Sequence, residues 1–191
     1  MHAGLEVIIG GMYSGKSTGL LNRLTRHKIA NRKVFLFKPK IDNRYSDSAV
    51  VTHSGQDFPA TLVENSQTIL KLMDIFRQQV VNEPIVVGID EAQFLDESLI
   101  GVVNSLMPWC NRVIVAGLDT DFLAKPWPTM VPLVMTAEKL TKLNAICVQC
   151  GEDANFTQRL IDGSPTTHGD TVLVGGSESY EARCRGCYVG P

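Results

Sequence analysis

The chain has 191 residues, of which 44 % are hydrophobic and 20 % charged, and its formal net charge is −2. That length holds one core domain with a small appendage, and the composition is ordinary for a globular chain. The balanced charge lacks the basic excess that nucleic-acid surfaces need, and no apolar stretch approaches the roughly 18 residues of a membrane span.

Met1-His2-Ala3-Gly4 runs directly into the first apolar stretch, which leaves no space for a signal peptide and points to a cytoplasmic protein. Leu5-Glu6-Val7-Ile8-Ile9 reads as a strand. Ser17 to Ala30 reads as a helix with Leu20, Leu21, Leu24 and Ile29 at helical spacing. Between them, Gly10-Gly11-Met12-Tyr13-Ser14-Gly15-Lys16-Ser17-Thr18 has the spacing of a phosphate-binding loop. Glycines at 10 and 15 let the backbone turn sharply and approach phosphate oxygens. Consecutive N–H groups can then line an anion-sized cup at the start of the helix. Lys16 suits the β- and γ-phosphates, and Ser17 suits a Mg²⁺ that bridges them. A chance lysine in a glycine-rich turn would not come with strand and helix in this order, so a nucleoside triphosphate site is expected.

Lys33 to Lys38 forms a second expected strand, ended by Pro39, and the polar stretch Ile41 to Ser48 a surface loop. Ala60 to Val63 is a short strand. Asn65 or Ser66 caps a helix carrying Ile69, Leu70, Leu72, Met73, Phe76 and Val80, which Pro84 closes. Ile85 to Ile89 is a continuous apolar run of the buried parallel type. It delivers Asp90 and Glu91 at its C-terminal end, the edge where ligands collect in open α/β sheets. Asp90 is suited to hold Mg²⁺ with Ser17, which leaves Glu91 to position or deprotonate a nucleophile.

Asp96 or Glu97 opens a further helix whose Leu99, Ile100, Val103 and Leu106 face the core. Arg112 to Leu118 is another strand, leading into Asp119, Thr120, Asp121 and Phe122. Lys125 to Pro132 reads as a proline-rich loop carrying Trp127, and Leu140 to Ile146 as the last core strand. This alternation predicts an α/β fold of the P-loop, RecA-like kind: a parallel sheet with helices on both faces.

Of five cysteines, four form two Cys-x-x-Cys pairs, Cys147 with Cys150 and Cys184 with Cys187, with 33 residues between the pairs. In a reducing compartment this pattern reads as a structural Zn²⁺ site. The expected domains are residues 1–146 for nucleotide binding and 147–191 for a zinc-binding lasso or lid. Thiolate ligation would pin both ends of the long glycine-containing excursion, and the segment from Thr157 to Tyr180 is expected to order over bound ligand. Cys110, beside Trp109, reads as a small buried thiol.

The chain resembles the zinc-containing, cellular and bacterial type of thymidine kinase. The resemblance rests on residues 10–18, Asp-Asn-Arg-Tyr at 42–45, Asp-Glu-Ala-Gln-Phe at 90–94 and Gly-Leu-Asp-Thr-Asp-Phe at 117–122. The cysteine pairs and Gly175-Gly176 with Tyr180 complete it. It implies transfer of the γ-phosphate of ATP to the 5′-hydroxyl of thymidine, in salvage of pyrimidine deoxynucleosides for DNA synthesis. Glu91 matches the general base, and Arg44 and Arg159 match basic positions near the phosphates. Met12, Phe94, Leu118, Phe122 and Trp127 match the apolar wall around the thymine ring, with Trp127 standing where phenylalanine is more usual. Thr157 matches a pocket hydroxyl beside the 5-methyl group. Tyr180 and the backbone of Thr171, Leu173 and Gly175 match a closing flap. The resemblance also implies a homotetramer that acts on small molecules and needs neither nucleic acid nor membrane.

Two other readings share part of this pattern. A helicase- or recombinase-type ATPase also carries an Asp-Glu pair after a strand, but the chain lacks a basic stripe and has few aromatics for base stacking. A kinase of another nucleoside differs only in the pocket.

Overall fold

The computed structural model describes residues 4–41, 49–51, 57–79, 83–172 and 178–191. In chain order the elements are β1 (Leu5–Gly10), α1 (Lys16–Ile29), β2 (Lys33–Pro39), β3 (Ala49–Val51), β4 (Asp57–Pro59), β5 (Thr61–Val63) and α2 (Ser66–Gln79). Next come β6 (Ile85–Ile89), a 3₁₀ turn (Ala92–Phe94), α3 (Leu99–Leu106), β7 (Arg112–Gly117), α4 (Met130–Thr136) and β8 (Lys139–Leu143). The C-terminal part holds β9 (Ala145–Ile146), β10 (Asp153–Ala154), β11 (Phe156–Ile161), β12 (Ser164–Thr166) and β13 (Tyr180–Arg183).

Six strands form the central sheet in the order β5-β2-β6-β7-β1-β8, and the pairings between them are parallel. Alternation along each strand divides the core between two faces. Ile8, Leu36, Val86, Ile114 and Ala116 pack under Leu20, Leu21 and Leu24 of α1. Val7, Ile9, Phe37, Val87, Ile89, Val113 and Val115 pack on the other side against Ile69 and Met73 of α2, Leu99 and Val103 of α3, and Met130 and Leu133 of α4. The expected parallel sheet with helices on both faces is what the chain adopts.

The cap of α2 follows the sequence signal, since the Thr68 N–H and hydroxyl both donate to the Asn65 side-chain oxygen at 3.0 Å. Asp96 joins the start of α2 to that of α3. Its carboxylate accepts from the Ser66 N–H at 2.8 Å and the Ser98 N–H at 3.1 Å. Burial alone would raise this carboxyl, but the bonds from Ser66 and Ser98 bring it down to about 2.

Three expectations need correction. The 125–132 stretch is not wholly loop, because α4 begins at Met130 and contains Pro132. A backbone N–H in the first turn would lack an intrahelical partner anyway, so a proline, which has none, is tolerated there. The stretch 140–146 is not one strand. Residues 139–143 pair with β1, and Ala145–Ile146 pairs with β10 in a separate two-stranded ladder. The first strand is not purely apolar either: Glu6 is buried and ion-paired to Arg23 of α1 and to Lys139 of β8, the latter at 3.0 Å. Burial pushes the Glu6 carboxyl up, but bonds from Lys139 and Arg23 hold it below its ordinary value.

Gly88 sits where β6 meets α1. A Cβ there would lie 2.6 Å from Leu24 Cδ1 and 3.1 Å from Leu36 Cδ1, both within the packed face. Gly88→Ala is expected to lower stability by about 1–3 kcal/mol, the usual cost of overpacking. Chemical denaturation measures it, and an unchanged midpoint would mean that α1 can shift away at no cost.

Candidate active site

β1 ends at Gly10, and the chain turns through residues 10–15 into α1. Gly10 has φ +152°, and a side chain there would overlap the Leu143 carbonyl oxygen at the end of β8. Gly15 has φ +82° and caps α1 in the left-handed conformation, which glycine adopts without penalty. Inside the turn, the buried Lys16 ammonium donates to the Gly11 carbonyl at 2.8 Å, as does the Ser14 hydroxyl. The loop is thus a compact cup with an ammonium folded over it.

Asp90 follows β6 at the same sheet edge and is buried. Burial and the neighbouring Glu91 charge push its carboxyl up to about 7, opposed by bonds from the Ser17 hydroxyl and the Glu91 N–H and by Lys16. The Ser17 hydroxyl and the Asp90 carboxylate together fit a hard divalent cation. Glu91 has φ +48°, unusual for a residue with a side chain. Its carboxylate accepts from Gln93 Nε2 at 2.6 Å, while Gln93 Oε1 accepts from the Leu118 N–H at 2.9 Å.

The C-terminal part closes over the loop. Thr157 on β11 accepts from the Met12 N–H at 3.0 Å, and the Tyr13 hydroxyl donates to the Tyr180 carbonyl at 3.1 Å. Phe122 lies under the Arg159 guanidinium, 3.9 Å from ring centre to Cζ, and Tyr180 flanks it at 5.2 Å. Arg159 donates to the Tyr180 hydroxyl at 2.5 Å, to the Thr171 carbonyl at 3.4 Å and to the Asp170 carbonyl. None of these partners lies in residues 10–18. Phe94 and Trp127 meet edge to face at 5.8 Å. A cavity of about 430 Å³ opens between the two parts, lined by Asp119, Thr120, Ala124, Lys142, Asn155, Phe156 and Arg185. The ion pair of Lys142 with Asp119 at 2.9 Å lies there.

The 10–15 turn, Asp90, Glu91 and Leu118 therefore follow β1, β6 and β7 at one sheet edge, with Thr157 and Tyr180 bonded to the turn. Arg44, Leu173 and Gly175 lie outside the described residues. The excursion between the cysteine pairs is more regular than expected. Residues 156–166 and 180–183 form a three-stranded antiparallel sheet, β12-β11-β13, so backbone pairing holds their shape. Two contributors carried no sequence assignment. Gln93 sits inside the 90–94 motif, where its position between Glu91 and an apolar residue was the only signal. Tyr188 directly follows the last cysteine; its ring stacks on Phe156 at 4.6 Å and its hydroxyl donates to the Phe122 carbonyl at 2.5 Å.

The Sγ atoms of Cys147, Cys150, Cys184 and Cys187 lie within 4.8 Å of one another, with 3.5 Å between those of Cys150 and Cys184. Tetrahedral zinc with bonds of about 2.3 Å spaces its sulfurs about 3.8 Å apart, so the cluster could hold that ion. Burial tends to raise the Cys147 thiol, but bonds from the backbone of Cys184, Cys150 and Gln149 bring it down to about 6. Crowding by the Cys184 and Cys150 sulfurs pushes Cys187 up to about 12. A cation is what would let all four ionise together. Cys110 is the buried thiol expected, and burial pushes it up to about 12.

Cys150→Ser is expected to abolish stoichiometric zinc, measured by elemental analysis, and to loosen residues 145–191 more than the central sheet, measured by hydrogen exchange. Full zinc retention would remove Cys150 from the ligand set. Compared with known families, the chain matches the model described as Thymidine kinase over residues 3–188.

Proposed function

The chain belongs to the thymidine kinase family, and from that premise and the site geometry we propose that it transfers the γ-phosphate of ATP to the 5′-hydroxyl of thymidine, giving thymidine monophosphate and ADP. The observation that carries this reading is the meeting of three groups at one sheet edge. They are the 10–18 loop with Lys16 and Ser17, the Asp90–Glu91 pair, and a flap anchored through Thr157 and Tyr180.

In this reading residues 1–146 carry the phosphate chemistry and 147–191 the outer wall of the acceptor pocket. The backbone of Gly10, Gly11, Met12, Tyr13, Ser14 and Gly15, with Lys16, Ser17 and Thr18, cradles the triphosphate. Lys16 exchanges its Gly11 carbonyl for a phosphate oxygen as the donor enters. Ser17 and Asp90 would hold Mg²⁺, which would offset the negative charge that builds on the phosphate oxygens during transfer. Glu91 takes the proton of the 5′-hydroxyl as that oxygen attacks phosphorus in line with the departing ADP. A carboxylate suffices because phosphoryl transfer needs mainly alignment and charge stabilisation.

Met12, Phe94, Leu118, Phe122 and Trp127 wall the thymine, Thr157 meets its methyl edge, and Tyr180 with the backbone of Thr171, Leu173 and Gly175 closes over it. Arg159 serves this closure by gripping the strap carbonyls and Tyr180, and Arg44 remains the candidate for relieving phosphate charge. The four cysteines would hold a structural Zn²⁺ that would pin the base of the flap. A cytoplasmic homotetramer in deoxynucleoside salvage, without nucleic-acid or membrane partners, completes the proposal.

ADP release measured alone, with thymidine, with deoxyadenosine and with single-stranded DNA tests the reaction. Stimulation by thymidine alone supports it, and stimulation by DNA or deoxyadenosine replaces it. Glu91→Gln should keep ATP affinity while kcat falls by about 10²–10⁴, the usual worth of a general base; a few-fold loss would leave Glu91 a placement role only. Thymidine should also protect the 167–179 strap from limited proteolysis, whereas equal cleavage with and without it argues against a closing flap.

A further inference from the structure

Gln93 is 2 % exposed and sits in the 3₁₀ turn that follows Glu91. Its carboxamide spans the gap between β6 and β7. The Leu118 N–H can only donate, so the oxygen of the amide must face β7 and its nitrogen must face Glu91. This settles the amide orientation from its partners. The crossing needs room, and Gly117 provides it. A Cβ there would stand 2.9 Å from Gln93 Oε1 and 2.7 Å from Met130 Sδ. Glu91 itself is held at φ +48°, a conformation that persists only where the surroundings over-determine it.

We propose that Gln93 is a positioning residue for Glu91, tying the carboxylate to the backbone at the end of β7 so that it meets the acceptor hydroxyl at one angle. Leu118, the other anchor, stands in the proposed base wall, so one amide links the proton acceptor to the surface that seats the nucleoside. A positioned group loses rate steeply when its angle is released. The inference rests on the kinase reading and on Glu91 as proton acceptor.

The test is steady-state kinetics of thymidine-dependent ADP release by the full chain, with folding followed by melting temperature. Gln93→Met keeps the length of the side chain and removes both bonds. Gln93→Glu keeps an acceptor for Leu118 but offers Glu91 no N–H. Each is expected to lower kcat by about 10- to 100-fold, with the KM for ATP changed by no more than about threefold. In a Glu91→Gln background either change should cost nothing further, because the group being positioned is already gone. A residue that only supports the fold would instead raise KM, lower the melting temperature and add its loss to that of Glu91→Gln. Retention of kcat within about twofold, or losses that multiply across the two sites, overturns the role. An active wild-type chain with unaffected variants removes Gln93 alone. A wild-type chain without thymidine-dependent ADP release removes the reaction, and the role of Gln93 with it.

Discussion

Parallel pairing is the constraint on which the site depends. Because the strands of the central sheet run the same way, their C-terminal ends share one edge, and whatever follows each strand is delivered there. β1 contributes the 10–15 turn, β6 contributes Asp90 and Glu91, β7 contributes Leu118, and β8 ends at the carbonyl against which Gly10 packs. Their sequence separations vary widely, yet each is brought in by a strand of one sheet, in which β1, β6 and β7 are largely buried and β8 forms the edge. The burial that stabilises the sheet also concentrates charge: Asp90 and Lys16 lie within it, at an edge where water competes little for them.

The C-terminal part is built on different physics. Its small core joins Ala145, Cys147, Ala154 and Ala182, side chains too small to offset much chain entropy by burial. Backbone pairing in the β12-β11-β13 sheet and the cysteine cluster supply what the core does not. Docking is correspondingly polar. Thr157 accepts from a backbone N–H of the loop, a tyrosine hydroxyl reaches a backbone carbonyl, and Arg159 is layered on Phe122. Such contacts fix register between the two parts.

The elements legible in the sequence were those whose signal is local. Leu5 to Ile9 and Ile85 to Ile89 are buried on both sides and read as apolar runs, and the glycine spacing between β1 and α1 follows from backbone angles that few other residues adopt. What stayed hidden depended on partners far along the chain. Pro132 marks a loop by propensity, yet in the first turn of α4 it breaks no bond. Residues 140–146 form one apolar-polar run, and only their separate partners, β1 and β10, divide it. Arg159 could be matched by motif to a phosphate-proximal position, but its ring and carbonyl partners come from Phe122, Tyr180 and residues 170–171. Gln93 needed the Leu118 N–H to give its amide a direction.

A single residue, Asn144, separates β8 from β9, and its side chain is itself tied to Asp153 at 3.0 Å. So short a joint makes β9 leave directly from the end of β8, and the cysteine cluster that opens at Cys147 inherits its anchorage from the sheet.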